Sequence, residues 1–214
     1  MKTLVFLGSL RDSAPPRPAR LGARVAAATA ARLGGLGAEV TVIDPLDLDL
    51  PQPFKPHFAY APSKVPAVLA DLAAQIEGAD AFVAVSPEYN HSMSPALADL
   101  LNHFGSSLFS FKPSAIVTYS AAQWGGARAA VQMRTFLAEL GCLPVSAMVH
   151  IPHAQDVFDK DGRYVAGVDA TRWDAYLDRS LTQLQWWAEA ARAQRDVRPG
   201  TQAFQSSPQE RNAP

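Results

Sequence analysis

Three short segments carry the residue types from which a binding site is built. In the first, Gly8-Ser9-Leu10-Arg11-Asp12-Ser13, small residues let backbone N–H groups approach an anion, Ser9 and Ser13 add hydroxyl donors, and Arg11 supplies a bidentate positive fork. A helix expected to start near Leu21 would bring the positive end of its dipole to the same point. That is the chemistry of a phosphate cup. It is not a Walker A loop, which needs Gly-Lys followed by Ser or Thr, and it lacks the three-glycine dinucleotide fingerprint. An ordinary strand-to-helix turn capped by serine uses the same few residues, so this segment alone leaves both readings open.

The second segment, Ser86-Pro87-Glu88-Tyr89-Asn90-His91-Ser92, is stiffened at Pro87 and offers amide and hydroxyl groups with one aromatic, which suits the edge of a flat heteroaromatic ring. The third, Tyr119-Ser120-Ala121-Ala122-Gln123-Trp124-Gly125-Gly126, ends in two glycines that permit close backbone approach and entry into a helix. Each is weak singly. A phosphate cup beside two loops suited to a planar ring describes a mononucleotide site.

Other candidates carry less. His150, His153 and Asp156 lack the i, i+4 helical pairing of a zincin, and such scattered polar residues are more often hydrogen-bonded or exposed than metal ligands, so no metal is expected. Cys142, the single cysteine, does not head a phosphate loop after the first strand and reads as an inert buried thiol. Glu88 reads as a positioning residue rather than a proton carrier. Trp173 and Trp187 read as core or interface rather than as a base-stacking pair.

These loops need a scaffold, and the chain spells one out. Nearly continuous apolar runs at 3–7, 81–85 and 115–118, with β-branched runs at 40–43 and 145–149, predict five strands alternating with helical segments, which marks an α/β protein with a mainly parallel sheet. The three candidate loops follow the first, third and fourth strands, so they share the carboxyl edge where ligands bind in such sheets. Ser94-Pro95 predicts a helix start, and Leu97, Leu100, Leu101 and Phe104 fall on one face of that helix. Ala130, Met133, Leu137 and Leu140 form another stripe, closed by Gly141. Residues 158–164 predict a hairpin around Asp161-Gly162, and 171–192 a final helix with Trp173, Tyr176, Leu177, Leu181, Leu184 and Trp187 on its apolar face. The five prolines of 51–66 predict a surface loop. One domain is expected over 1–195, with a disordered tail over 196–214.

Of the 214 residues, 48% are hydrophobic, and 19 basic side chains against 20 acidic ones give a formal charge of −1. A field that weak gives no reason to expect nucleic acid or an anionic membrane as partner. The short apolar run after Met1 is too short for a signal-peptide core, and no stretch reaches the ~18 apolar residues of a spanning helix. With one cysteine, a soluble protein of the reducing cytoplasm is expected.

With Gly8-Ser9-Leu10-Arg11, Pro87-Glu88-Tyr89-Asn90 before a Ser-Pro-x-Leu helix start, and Gly125-Gly126-Ala127-Arg128, the chain resembles the NADPH-dependent FMN reductase family over roughly residues 1–149. That family includes flavin, quinone, chromate and azo-dye reductases. The resemblance implies a flavodoxin-like three-layer sandwich with sheet order 2-1-3-4-5, to which this chain adds a C-terminal hairpin and helix. It implies non-covalent FMN, its phosphate meeting Ser9 and Arg11 and its ring meeting Pro87, Glu88, Tyr89, Asn90, Ser120, Gly125 and Gly126. Residues 12–19 depart from the family with three prolines, and Ser13, Arg17 and Arg20 are alternatives for completing the phosphate site; the extra arginines could equally meet the 2′-phosphate of NADPH. The implied function is an oxidoreductase passing hydride from NADPH through FMN to a small acceptor by a ping-pong mechanism, with no catalytic side chain. A homodimer or homotetramer is expected. The alternative, a flavodoxin-like electron carrier, would call for a strongly acidic docking face, which the charge balance does not provide.

Overall fold

The computed structural model describes residues 1–11 and 20–198; Ser13, Arg17 and the tail from 199 onward lie outside the described residues. The strands are β1 (Lys2–Leu7), β2 (Glu39–Ile43), β3 (Ala81–Pro87), β4 (Pro113–Tyr119), β5 (Leu143–Pro144) and β6 (Val149–Ile151). The helices are α1 (Leu21–Gly35), α2 (Ala67–Gly78), α3 (Pro95–Asn102), α4 (Ser106–Phe109), α5 (Ala127–Glu139), α6 (Ala154–Val157) and α7 (Ala170–Val197). The sheet runs β2-β1-β3-β4-β5, with β6 also on β4, and every pairing is parallel. This is the flavodoxin-like order.

Because successive side chains of a strand point to opposite faces, β1 feeds two cores at once. Val5 and Leu7 join Val25 and Leu33 of α1 and Leu177, Leu181 and Leu184 of α7. Leu4 and Phe6 join α2, α3 and α5 through Leu69, Leu72, Leu97, Leu100, Met133 and Leu137. The predicted stripes of α3 and α5 are buried here, and Phe104, which lies just past the end of α3, is buried with them. The stop of α5 is a Schellman turn: Cys142 N–H donates to Leu137 O at 2.9 Å, Gly141 N–H to Ala138 O at 3.0 Å, and Gly141 is left-handed at φ +103°.

Three expectations need revision. The fifth strand is two pieces: residues 145–148 stand opposite only Ala115 and Ile116 of β4, which splits β5 from β6. Val145 N–H still donates to Ser114 O, and beyond it side chains take over: Arg134 donates to Val145 O and Ser146 O, Ser180 donates to Ala147 O, and Gln183 Oε1 accepts from Ser146 and Ala147. The hairpin at 158–164 reduces to a tight loop closed by one antiparallel bridge, Phe158 to Tyr164, with Asp159 accepting from the N–H groups of Asp161 and Arg163. Finally, α7 runs longer than expected, to Val197, and buries Ala188 where Trp187 was expected; Trp187 faces solvent at 48% exposure. The added turns are held by Asp80, which pairs with both Arg192 and Arg195. Residues 51–66 contain no strand or α-helix, as the prolines require.

Candidate functional site

The loops after β1, β3 and β4 meet at the carboxyl edge of the sheet, and their contacts explain why they meet so closely. Gly8 N–H donates to Val85 O at 2.7 Å, and Gly8 O accepts the Ser94 hydroxyl at 2.7 Å. A Cβ on Gly8 would stand 2.8 Å from Leu97 Cβ, so no other residue fits. Ser94 also caps α3 by accepting from Leu97 N–H, while its own N–H donates to Ser86 Oγ. The Ser94-Pro95 helix start inferred from sequence is therefore also the joint between the first two loops.

Ser9 is buried, its carbonyl accepts from Arg20 Nη1 at 2.8 Å, and Arg20 pairs with Asp44 at the end of β2. Arg20 thus braces the cup from behind. Tyr119 shares a side-chain hydrogen bond with Ser9, and burial holds its phenol above the ordinary range, so it stays neutral at physiological pH. Arg11 is exposed, and its N–H donates to Ser9 Oγ at 3.3 Å. The N-terminus of α1 has no side-chain cap and no acidic residue in its first turn. Among the described residues, the N–H groups of Leu21 and Gly22 have no acceptor. A 15-residue helix with open N–H groups at its start has the donors that can hold a phosphate.

In the second loop, Tyr89 and Ser92 exchange a pair of backbone hydrogen bonds at 2.9 Å across Asn90 and His91. Both central residues are left-handed, at φ 51° and 62°, which makes the two-residue turn type I′ in a segment without glycine. The exposed turn projects Asn90 and His91 over the site edge. Glu88 turns inward: its Oε1 lies 2.9 Å from Arg128 Nε, while Oε2 is buried without a partner among the described residues.

The third loop is held by its own serine and by residues 153–155, a segment the sequence raises only as a discounted metal site. Ser120 Oγ accepts from Gly125 N–H at 2.9 Å and donates to Ala122 O at 2.6 Å. His153 N–H donates to Ala122 O, Ala154 N–H to Ser120 O, and Gln155 Nε2 to Ala121 O. Gly125 and Gly126 are left-handed, and a Cβ on Gly125 would stand 2.9 Å from the backbone nitrogens of Ile151 and Pro152. The close approach these glycines allow is to the chain's own backbone, which packs the loop onto the end of β6. Arg128, one residue into the helix beyond them, stacks on Trp124 at 5.7 Å from the ring centroid. The only sequence trace of Arg128 was its place in Gly125-Gly126-Ala127-Arg128.

The discounted residues have structural places. His150 Nδ1 lies 2.9 Å from Thr118 Oγ1 and its N–H donates to Tyr176; burial, and after it the charge of Arg179, lower its affinity for a proton. Among the described residues no group of three His, Cys, Asp or Glu could hold a metal. Burial pushes the Cys142 thiol up to about 12. Also among the described residues, no helix is long and apolar enough to cross a membrane.

The family comparison identifies one family, and the solved structures share its fold. The model of the NADPH-dependent FMN reductases matches residues 1–156. The chain is 35% identical over 122 residues to an NAD(P)H-dependent FMN reductase of Pseudomonas aeruginosa, an alignment that spans 55% of this chain and 64% of that protein. In structure it is similar to FerB, a flavoenzyme NAD(P)H:(acceptor) oxidoreductase of Paracoccus denitrificans, with a TM-score of 0.65 at 21% identity over 86% of this chain and 97% of the other. An oxidoreductase of Corynebacterium diphtheriae gives 0.63 at 14% identity over 88% and 97%. At such identities the two structures bear on the fold alone.

Proposed function

Because the chain belongs to the NADPH-dependent FMN reductase family, we propose that its three-loop edge binds FMN without a covalent bond and that the protein passes reducing equivalents from NAD(P)H to a small electron acceptor. The observation that carries this reading is the open N-terminus of α1 over buried Ser9, on the same sheet edge as the exposed 90–91 turn. Those donors fit a phosphate, and Ser9 and Arg11, with Ser13 and Arg17 of the undescribed segment, would hold it. Arg20 works one step back, orienting Ser9 from its seat on Asp44. Pro87, Glu88, Tyr89, Asn90, Ser120, Gly125 and Gly126 would flank the ring.

When bound, FMN supplies a ring that accepts hydride from a nicotinamide and gives electrons up again. The protein's part is to bind, orient and leave one ring face open. Reductant and acceptor would stack on the same open ring face, so they bind in turn, and turnover is ping-pong. The acceptor is a free flavin, quinone, chromate or azo compound. The protein works as a homo-oligomer. α3 offers no apolar face for this, since Leu97, Leu100 and Leu101 are spent in the core. Better support comes from exposed Trp186 and Trp187 on α7, and from a hollow of about 630 Å³ lined by Phe58, Phe104, Phe136 and Leu140.

The test is spectral. Purified protein should show flavin absorption that bleaches on anaerobic addition of NADPH and returns with quinone, and denaturation should release FMN. Colourless protein that takes up no FMN in titration overturns the reading.

A further inference from the structure

Trp124, Arg128 and Glu88 form a chain, and neither Trp124 nor Arg128 has a role in the reading above. Trp124, in the loop between β4 and α5, is 60% exposed. Arg128 stacks on it, and Glu88 reaches Arg128 at Nε. The far end of the guanidinium fork, its two terminal nitrogens, has no hydrogen bond among the described residues, and the Arg128 side chain is 47% exposed. The Glu88 side chain is only 10% exposed, so the pair holds one end of the guanidinium against the protein and leaves the other open beside the exposed indole.

What the trio offers is a flat aromatic face flanked by an immobilised fork of donors. The ligand chemistry that matches both parts is a heteroaromatic base carrying a phosphate. Resting on the reductase reading above, we propose that Trp124 and Arg128 seat the adenosine half of the nicotinamide co-substrate, adenine on the indole and a phosphate on the guanidinium. Glu88 is a positioning residue: by fixing Nε it turns the terminal nitrogens of Arg128 into a prealigned fork. The seat bridges the second and third loops, beside the residues that would flank the ring, and lies apart from the α1 cup. The nicotinamide can therefore enter the site while the adenosine stays anchored at its rim.

The experiment compares wild type with Trp124→Ala, Arg128→Gln and Arg128→Lys, all loaded with FMN. Calorimetry measures the binding of 2′,5′-adenosine bisphosphate and of adenosine 5′-diphosphate. Kinetics measures the ratio of kcat/KM for NADPH to that for dihydronicotinamide mononucleotide, which has no adenosine. Binding of an adenosine phosphate and the kinetic ratio should each fall about tenfold or more in Trp124→Ala and Arg128→Gln, with Arg128→Lys recovering only part, because lysine keeps the charge but not the fork or the stack. Loss confined to the bisphosphate and NADPH assigns Arg128 to the 2′-phosphate; equal loss for the diphosphate and NADH assigns it to the pyrophosphate, and both sustain the proposal. Binding and ratio within twofold of wild type overturn it. So does unchanged adenosine binding with a raised KM for the acceptor or a loss of FMN, which would give the seat to another molecule. Bleaching of wild-type flavin by dihydronicotinamide mononucleotide tests the reductase reading separately, since that reductant makes no use of the seat.

Discussion

The Ser94 hydroxyl donates to the Gly8 carbonyl at 2.7 Å across 86 residues of sequence, and the same oxygen accepts the N–H of Leu97 at 3.1 Å. One side chain thus caps α3 and ties the loop after β1 to the loop after β3. Ser94→Ala removes the cap and leaves a buried carbonyl without its donor, for an expected loss of about 2 kcal/mol. Urea midpoints check the stability, and weaker FMN retention should accompany the loss, because both loops lose their common joint.

Arg11→Ala should weaken FMN binding by about 1.5–3 kcal/mol, the range for a charged hydrogen bond. Lysine should rescue part of that, since it supplies charge without the fork. Arg11 is exposed, and its side chain forms no ion pair among the described residues, so folding stability should stay within about 0.5 kcal/mol. Fluorescence titration of FMN against apoprotein separates the two effects. Wild-type affinity in Arg11→Ala would place the phosphate elsewhere.

At Gly125, alanine meets both a left-handed backbone of φ +59° and the Ile151 and Pro152 nitrogens at 2.9 Å. The expected cost is about 2–3 kcal/mol. Hydrogen exchange should locate the disturbance in residues 119–126 and 150–155, which the glycine packs together. A variant as stable as wild type would contradict this packing.

Lys112 is buried, and its Nζ donates to Ile76 O, Glu77 O and Leu108 O at 2.7, 2.8 and 3.0 Å, closing the ends of α2 and α4. Lys112→Met strands these carbonyls and should cost about 3 kcal/mol. Burial, and after it the charge of Arg195, lowers the ammonium of Lys112 to about 8 against an ordinary 10.5. Between those values the unfolded chain binds more protons than the folded one, so this group's contribution to stability rises as pH increases through that window. The melting-temperature gap between wild type and Lys112→Met should therefore widen from pH 8 to pH 10. A gap that narrows would show that the three carbonyls hold the charge more strongly than burial opposes it.

The strands and the three loops were legible in the sequence because they rest on local periodicity, whereas the strand order and the layers came from the resemblance to a known family. The apolar runs at 3–7, 81–85 and 115–118 mark strands covered on both faces, and each is followed by a polar loop that topology sends to one edge. The Ser94-Pro95 start and the Gly141 stop were equally readable, since a cap is decided within a few residues.

What the sequence could not state is which distant groups become partners. Nothing local says that Arg20 braces Ser9 against Asp44, that residues 153–155 hold the third loop, or that Glu88 meets Arg128 beside Trp124. The split of the last strand depends on Arg134, Ser180 and Gln183 arriving from two helices to satisfy backbone that the sheet leaves unpaired. Trp187 fits the apolar period of its helix, yet Ala188 is the residue buried beneath it, because the crossing of α7 over the sheet selects the face. Periodicity determines that a face exists. Only the packed neighbours decide which side chains it hides and which it leaves free to bind.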